Sequence, residues 1–98
     1  MDSLAILNNF LEKASKDARI SIAHIGLYSV LFNCWQQQGC EGPVRAYAAQ
    51  IMRLSKVSSS ATFHRLIRQL NEYGYMSYQP SFYKNVKSCF MMDSQNIK

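Results

Sequence analysis

The sequence is short of charge, and shortest of acid where base is most abundant. Asp, Glu, Lys and Arg make up 17% of its 98 residues, below the ~25% of an average soluble chain. Residues 43–98 hold only two acids against eight Lys/Arg, net +6, whereas residues 1–42 hold four against three, net −1. The basic character therefore belongs to the C-terminal half. It suits an acidic partner, nucleic acid before an anionic membrane surface, with a merely solvated basic face as the bland alternative.

Long apolar runs are missing too. The stretch "IAHIGLYSVLF" is interrupted by His24 and Ser29 and stops at Asn33, short of the ~18 apolar residues of a membrane span. The start "MDSLAILNN" has no basic segment followed by an apolar one, so no secretory leader is expected. Cysteine is scarce and odd in number: Cys34, Cys40 and Cys89 cannot all pair within one chain, which points to a reduced, cytoplasmic protein. Five residues separate Cys34 from Cys40 and no histidine pair is nearby, so no metal site is expected. The sequence also lacks a glycine-rich phosphate loop, a carboxylate pair and a nucleophile beside a base. That excludes the common enzyme classes, and with them a cofactor or a small-molecule ligand.

What remains is apolar and aromatic. Hydrophobic residues are 48% and aromatics 12%, enough for one core and too little for two, since a chain of this size buries roughly two-thirds of its extended surface. Leu4, Leu7, Phe10, Leu11 and Ala14 recur at three- and four-residue intervals, predicting an N-terminal amphipathic helix that Ser3 can cap. This helix, within residues 1–20, serves either packing or dimerisation. A second helix is predicted from about Ser21 to Gln38, with Ile22, Ile25, Leu27, Tyr28, Leu31, Phe32 and Trp35 making it nearly all core. Gly39, Gly42 and Pro43 end it.

Val44 to Ala46 can form an edge strand, and "YAAQIMRL" reads as a short helix with Ala48, Ile51, Met52 and Leu54 inward. "SKVSS" is a tight connector. The next helix opens with Ser58 or Ser59 as cap, buries Phe63, Leu66, Ile67 and Leu70, and stops at Gly74. Beyond it the period becomes two: Met76 and Tyr78, then Ser88, Phe90 and Met92, alternate with polar or flanking neighbours on either side of the turn "PSFYKN". The expected fold is mainly α with a small β-hairpin (α+β), a winged helix-turn-helix over residues 21–92 with an extra N-terminal helix and a frayed tail at 93–98. These residues can equally be a whole protein or a piece of a longer one.

With Phe63, Leu66, Ile67 and Leu70 inward, 100° per residue puts Ala61, Arg65, Arg68 and Glu72 on the opposite face, flanked by Thr62, His64 and Gln69. Ser59, Ser60 and Thr62 are small hydroxyls at the helix start, suited to phosphates or base edges. Arg65 is the candidate base reader, because an arginine fork matches the O6 and N7 acceptors of guanine. Lys56, Lys84 and Lys87 suit sequence-independent phosphate attraction, and Arg68 lies nearer the backbone. Tyr73, Tyr75 and Tyr78 can stack on unpaired bases or pack around the hairpin; their position favours packing.

The run "LSKVSSSATFHRLIRQLNEYGYMSYQPS", together with "HIGLYSVLFNCWQQQG" upstream, resembles the small winged-helix DNA-binding proteins of bacterial mobile elements, over about 70 of the 98 residues. These are related in outline to the winged-helix domains of replication initiators. The resemblance implies that Lys56 sits in the turn, that Ser59, Ser60, Thr62, His64 and Arg65 open the recognition helix, and that Pro80 and Ser81 begin the wing. One departure is visible: where members place a Lys-Gly turn in the wing, "FYKNVK" offers only Asn85 to tolerate a left-handed conformation. The function so implied is sequence-specific binding of double-stranded DNA by a homodimer, in transcription regulation or in the excision or replication of a mobile element. The alternative is a winged helix used as a protein-interaction module in a replication or partition complex.

Overall fold

The computed structural model of the chain describes residues 3–80 and 87–92. Four helices, α1 (Ser3–Ser15), α2 (Ile22–Gln37), α3 (Ala48–Ser55) and α4 (Ser60–Glu72), surround a small sheet of β1 (Val44–Ala46), β2 (Met76–Gln79) and β3 (Ser88–Met92). The sheet is antiparallel in the order β1-β3-β2, with Val44 opposite Phe90 and Tyr78 opposite Phe90 from the other side. The chain is thus mainly helical with a three-stranded sheet, and the Val44–Ala46 segment joins it at one edge. The Ser3 side chain, Lys84 and the "SFYKN" part of the hairpin turn lie outside the described residues.

α2 is the scaffold, and its limits follow from local chemistry. Ser21 caps it: its hydroxyl accepts from the His24 backbone N–H at 3.4 Å, and the Ser21 N–H donates to His24 Nδ1 at 2.9 Å. This reciprocal capping box uses a histidine where Glu or Gln is usual. At the far end the chain turns through Gly39 (φ 85°), and the Cys40 N–H reaches back to the Trp35 carbonyl at 2.9 Å. His24, Leu27, Tyr28, Leu31, Phe32 and Trp35 are buried along one broad face.

Four apolar residues expected inside lie outside. Ile22 is 88% exposed because it sits ~200° around the helix from His24, where the buried face begins. In α1 the buried residues are Ile6, Phe10 and Ala14, at intervals of four, and Leu4 and Leu11 are exposed. Phe10 sets this rotation: its ring stacks on Tyr28 with centroids 3.7 Å apart and meets Tyr75 edge-on at 5.3 Å. α1 therefore packs back on the same core as the rest of the chain. Leu54 is 55% exposed; it flanks the Ile51 stripe on the side away from Ala48 and Met52, one residue before α3 ends.

A polar cluster locks the α1–α2 connection onto the start of β2. Asp17 and Arg19 form a two-point ion pair, with Arg19 donating from Nε and Nη2 at 2.9 Å each. The Tyr75 hydroxyl donates to the second Asp17 oxygen at 2.7 Å, and the Arg19 guanidinium lies 3.9 Å over the Tyr73 ring. The hydrogen bonds from Arg19, then from Tyr75, hold the Asp17 carboxyl well below the usual carboxylate range. Burial, followed by the bond to Asp17, pushes the Tyr75 hydroxyl up to about 12. Two of the three tyrosines Tyr73, Tyr75 and Tyr78 are thereby accounted for by packing. The third, Tyr78, stacks on its cross-strand partner Phe90 at 5.2 Å.

Two outcomes follow. Phe10→Ala should cost about 3–5 kcal/mol in denaturant unfolding, a loss that an N-terminal helix lying off the core would not produce. For pH the signs are opposite. The depressed Asp17 carboxyl contributes stability that is present above its ordinary range and is lost as pH falls below about 4. The raised Tyr75 hydroxyl contributes below pH 10 and is lost as pH climbs toward 12. The melting-temperature gap between wild type and Asp17→Asn should be widest near pH 7 and close toward pH 2, and a gap independent of pH would refute the assignment.

Candidate nucleic-acid interface

α3 and α4 are joined by four residues whose conformation the sequence makes expensive. Lys56 ends α3 in the left-handed region (φ 63°), and the Val57 N–H donates back to the Met52 carbonyl at 3.0 Å. A glycine takes that position at the end of α4, where Gly74 (φ 86°) precedes a Tyr75 N–H bonded to the Leu70 carbonyl at 2.9 Å. A lysine held there costs on the order of 1 kcal/mol against glycine. Its ammonium group is carried to the exposed surface of the turn.

Ser59 then caps α4, its hydroxyl accepting from the Thr62 N–H at 3.2 Å. Phe63, Leu66, Ile67 and Leu70 are buried, so the helix can present only its other side. On that side Ser60, Ala61, Arg65, Arg68 and Glu72 are exposed, while Thr62, His64 and Gln69 are half-buried flanks. The helix thus brings Arg65 and Arg68 onto one exposed strip with Ala61 and Glu72, and Ser60 is exposed in the first turn beside the buried stripe. Lys87 is exposed just before β3, with its Nζ 5.6 Å over the Tyr47 ring.

Two histidines on this framework have defined tautomers. His64 Nδ1 lies 2.8 Å from the Ser60 carbonyl oxygen and 3.3 Å from its hydroxyl. A carbonyl only accepts, so Nδ1 carries the proton and Nε2 of the neutral ring is an acceptor. His24 is the reverse. Its Nδ1 accepts the Ser21 N–H, so Nε2 carries the proton and donates to Gln69 Oε1 at 2.8 Å. Gln69, placed among the DNA contacts by sequence, therefore commits its amide oxygen to a histidine that is 3% exposed. Its amide nitrogen and the second lone pair of that oxygen are what remain for a ligand. The capping serine of α2, His24 and the middle of α4 form one hydrogen-bonded chain.

The electrostatics of the described C-terminal part are one-sided. Arg45, Arg53, Lys56, Arg65, Arg68 and Lys87 are all exposed, and Glu72 is the sole acid among described residues 43–92. The ion pair among the described residues is Asp17–Arg19, so none of these six cations is paired with a described carboxylate. Arg45 and Arg53 escaped the sequence reading, although the buried–exposed–buried alternation of Val44, Arg45 and Ala46 is a signal that would have found the first. Among the described residues no group of three His, Cys, Asp or Glu is placed to hold a metal ion, and no helix is long and apolar enough to cross a membrane.

Gln69→Ala removes the acceptor of a buried donor and should cost about 1–3 kcal/mol of stability. Hydrogen exchange at the first turn of α2 should quicken with it, whereas an unchanged unfolding midpoint would show that His24 does not depend on Gln69. Comparison with protein-family models, with curated proteins and with solved structures finds no match to this chain.

Proposed function

We propose that the protein is a winged-helix protein that binds double-stranded DNA sequence-specifically, with α4 as the recognition helix and the β2–β3 connection as the wing. The observation that carries this reading is the pair Arg65 and Arg68 on α4, lying opposite a fully buried stripe on a helix that follows a tight turn from α3. The element order helix, strand, helix, helix, strand, strand with sheet order β1-β3-β2 supports it, since a helix pair of this kind sends its second helix into the major groove and a hairpin to the backbone beside it. The uncompensated cations support it further, because a polyanion offsets their mutual repulsion. In this reading Arg65 reads a base edge, Ser59, Ser60, Thr62 and His64 line the groove, and Lys56, Arg68, Lys84 and Lys87 attract phosphates. The protein acts as a homodimer on a palindromic or repeated site, as a transcription regulator or as an accessory protein in mobile-element excision or replication.

A second reading, a winged helix that binds another protein, draws on a different observation. Leu54 is exposed beside Val30 and Cys34, in a groove on the outer side of α2 that Ser29, Asn33 and Gln37 complete. Changing Arg65, Arg68 and Lys87 together to Ala separates the two. DNA binding is lost in the first reading, and partner binding survives in the second.

Selection from a random duplex library, followed by titration of the enriched site at several salt concentrations, tests the main reading. Arg65→Ala should relax the preference at one base pair by about 1–3 kcal/mol. Arg68→Ala should weaken all sequences alike and make the salt dependence shallower by about one phosphate. No enriched sequence and no salt-dependent binding would overturn it.

A further inference from the structure

The cations of α4 are not the only ones without a counter-charge. β1 and β3 pair in a register that sets Arg45 opposite Cys89 and Ala46 opposite Ser88; continued by one residue, it sets Tyr47 opposite Lys87. The side chains agree, with Lys87 Nζ 5.6 Å over the Tyr47 ring. Side chains alternate along a strand, so Arg45 and Cys89 share the face turned away from the core, and Lys87 lies diagonally across from Arg45 on that face. Like charges at such spacing repel. The acid nearest Arg45 along the chain is Glu41, four residues before it, and among the described residues neither cation has an ion pair.

The arrangement is also held in place. The Tyr47 N–H donates to Gln50 Oε1 at 3.3 Å, which anchors the residue at the start of α3. Its ring is 41% exposed, and a cation over a tyrosine face is attracted by the ring quadrupole. The ring steadies the lysine without neutralising it. A guanidinium fork, a phenol and an ammonium group thus gather at one end of the sheet, the end from which β2 leaves after Gln79 and β3 returns at Ser88.

Resting on the DNA-binding reading, we propose that Arg45, Tyr47 and Lys87 form a second anchor that grips the phosphate backbone of duplex DNA irrespective of sequence. Arg45 and Lys87 each neutralise one phosphate, and Tyr47 orients Lys87 while its hydroxyl donates to a phosphate oxygen. α4 then supplies discrimination, and the sheet end supplies affinity and register.

Because a backbone anchor acts on any sequence, the test needs no knowledge of the target. A fluorescent 24-base-pair duplex of random sequence is titrated with the full chain at salt concentrations from about 50 to 300 mM, a range over which phosphate contacts lose affinity steeply. Arg45→Gln and Lys87→Gln should each make the slope of log K against log salt shallower by about 0.9, which is about an eightfold loss of affinity at 0.1 M salt. Tyr47→Phe, which keeps the ring, should lower affinity a few-fold with the slope unchanged. Lys16→Gln, which removes an exposed charge from the α1–α2 connection, is the control for net charge alone. All four sites are on the surface, and thermal melts establish that each variant is folded. If wild type binds with a steep slope while Arg45→Gln and Lys87→Gln behave as Lys16→Gln does, the anchor is overturned and the role of α4 stands. Failure of wild type to bind any duplex across the salt range overturns both.

Discussion

The burial of one stripe on α4 is the constraint from which the candidate interface follows. Phe63, Leu66, Ile67 and Leu70 are at most 1% exposed, and each buried apolar side chain of this size is worth roughly 1.5–3 kcal/mol against leaving it in water. A helix held so firmly cannot roll about its axis. Its outward face is therefore decided by arithmetic: with four inward positions settled, Ala61, Arg65 and Arg68 have nowhere to go but solvent. The His24–Gln69 hydrogen bond acts in the same direction. Apolar packing tolerates small rotations, but a 2.8 Å bond to a buried ring of defined tautomer does not.

A second set of contacts joins elements far apart in sequence one turn further along α2. Phe10 stacks on Tyr28 and meets Tyr75 edge-on, and the Asp17–Arg19 pair binds the Tyr75 hydroxyl through Asp17 and lies over the Tyr73 ring through Arg19. The neutralised acid–base pair lies here, while the described cations of the C-terminal part have no ion pair among the described residues. The two regions answer different demands. Where charges are paired and tyrosines enclosed, the chain gains order between α1, α2 and β2. Where cations cluster without a described acid on α4, on the turn and at the sheet end, their like charge is a small cost to intramolecular stability that binding to a polyanion would repay.

Much of this was legible before any coordinates. The 3.6-residue period of Phe63 to Leu70, the serine before it and the glycine after it are sufficient to outline α4, because caps and periodic burial are local properties. The same holds for α2 between Ser21 and Gly39, and for the alternation of Ser88, Phe90 and Met92. The charge asymmetry between residues 1–42 and 43–98 is likewise a property of composition alone.

The sequence by itself therefore determined which segments are helical or extended, where they stop, and which side of α4 meets water. Only the tertiary structure decided the rotation of α1, the exposure of Ile22 and Leu54, the engagement of Gln69 with His24, and the meeting of Arg45, Tyr47 and Lys87. The physical reason is the same in each case. An apolar residue at the margin of a stripe is buried only if another element covers it, and α1 offered two overlapping stripes until Phe10 found Tyr28. A polar side chain on a helix flank can face solvent or a partner, and Gln69 faces a histidine 45 residues earlier in the chain. Cross-strand neighbours are fixed by register, which depends on pairing between segments 40 residues apart rather than on the residues of either strand.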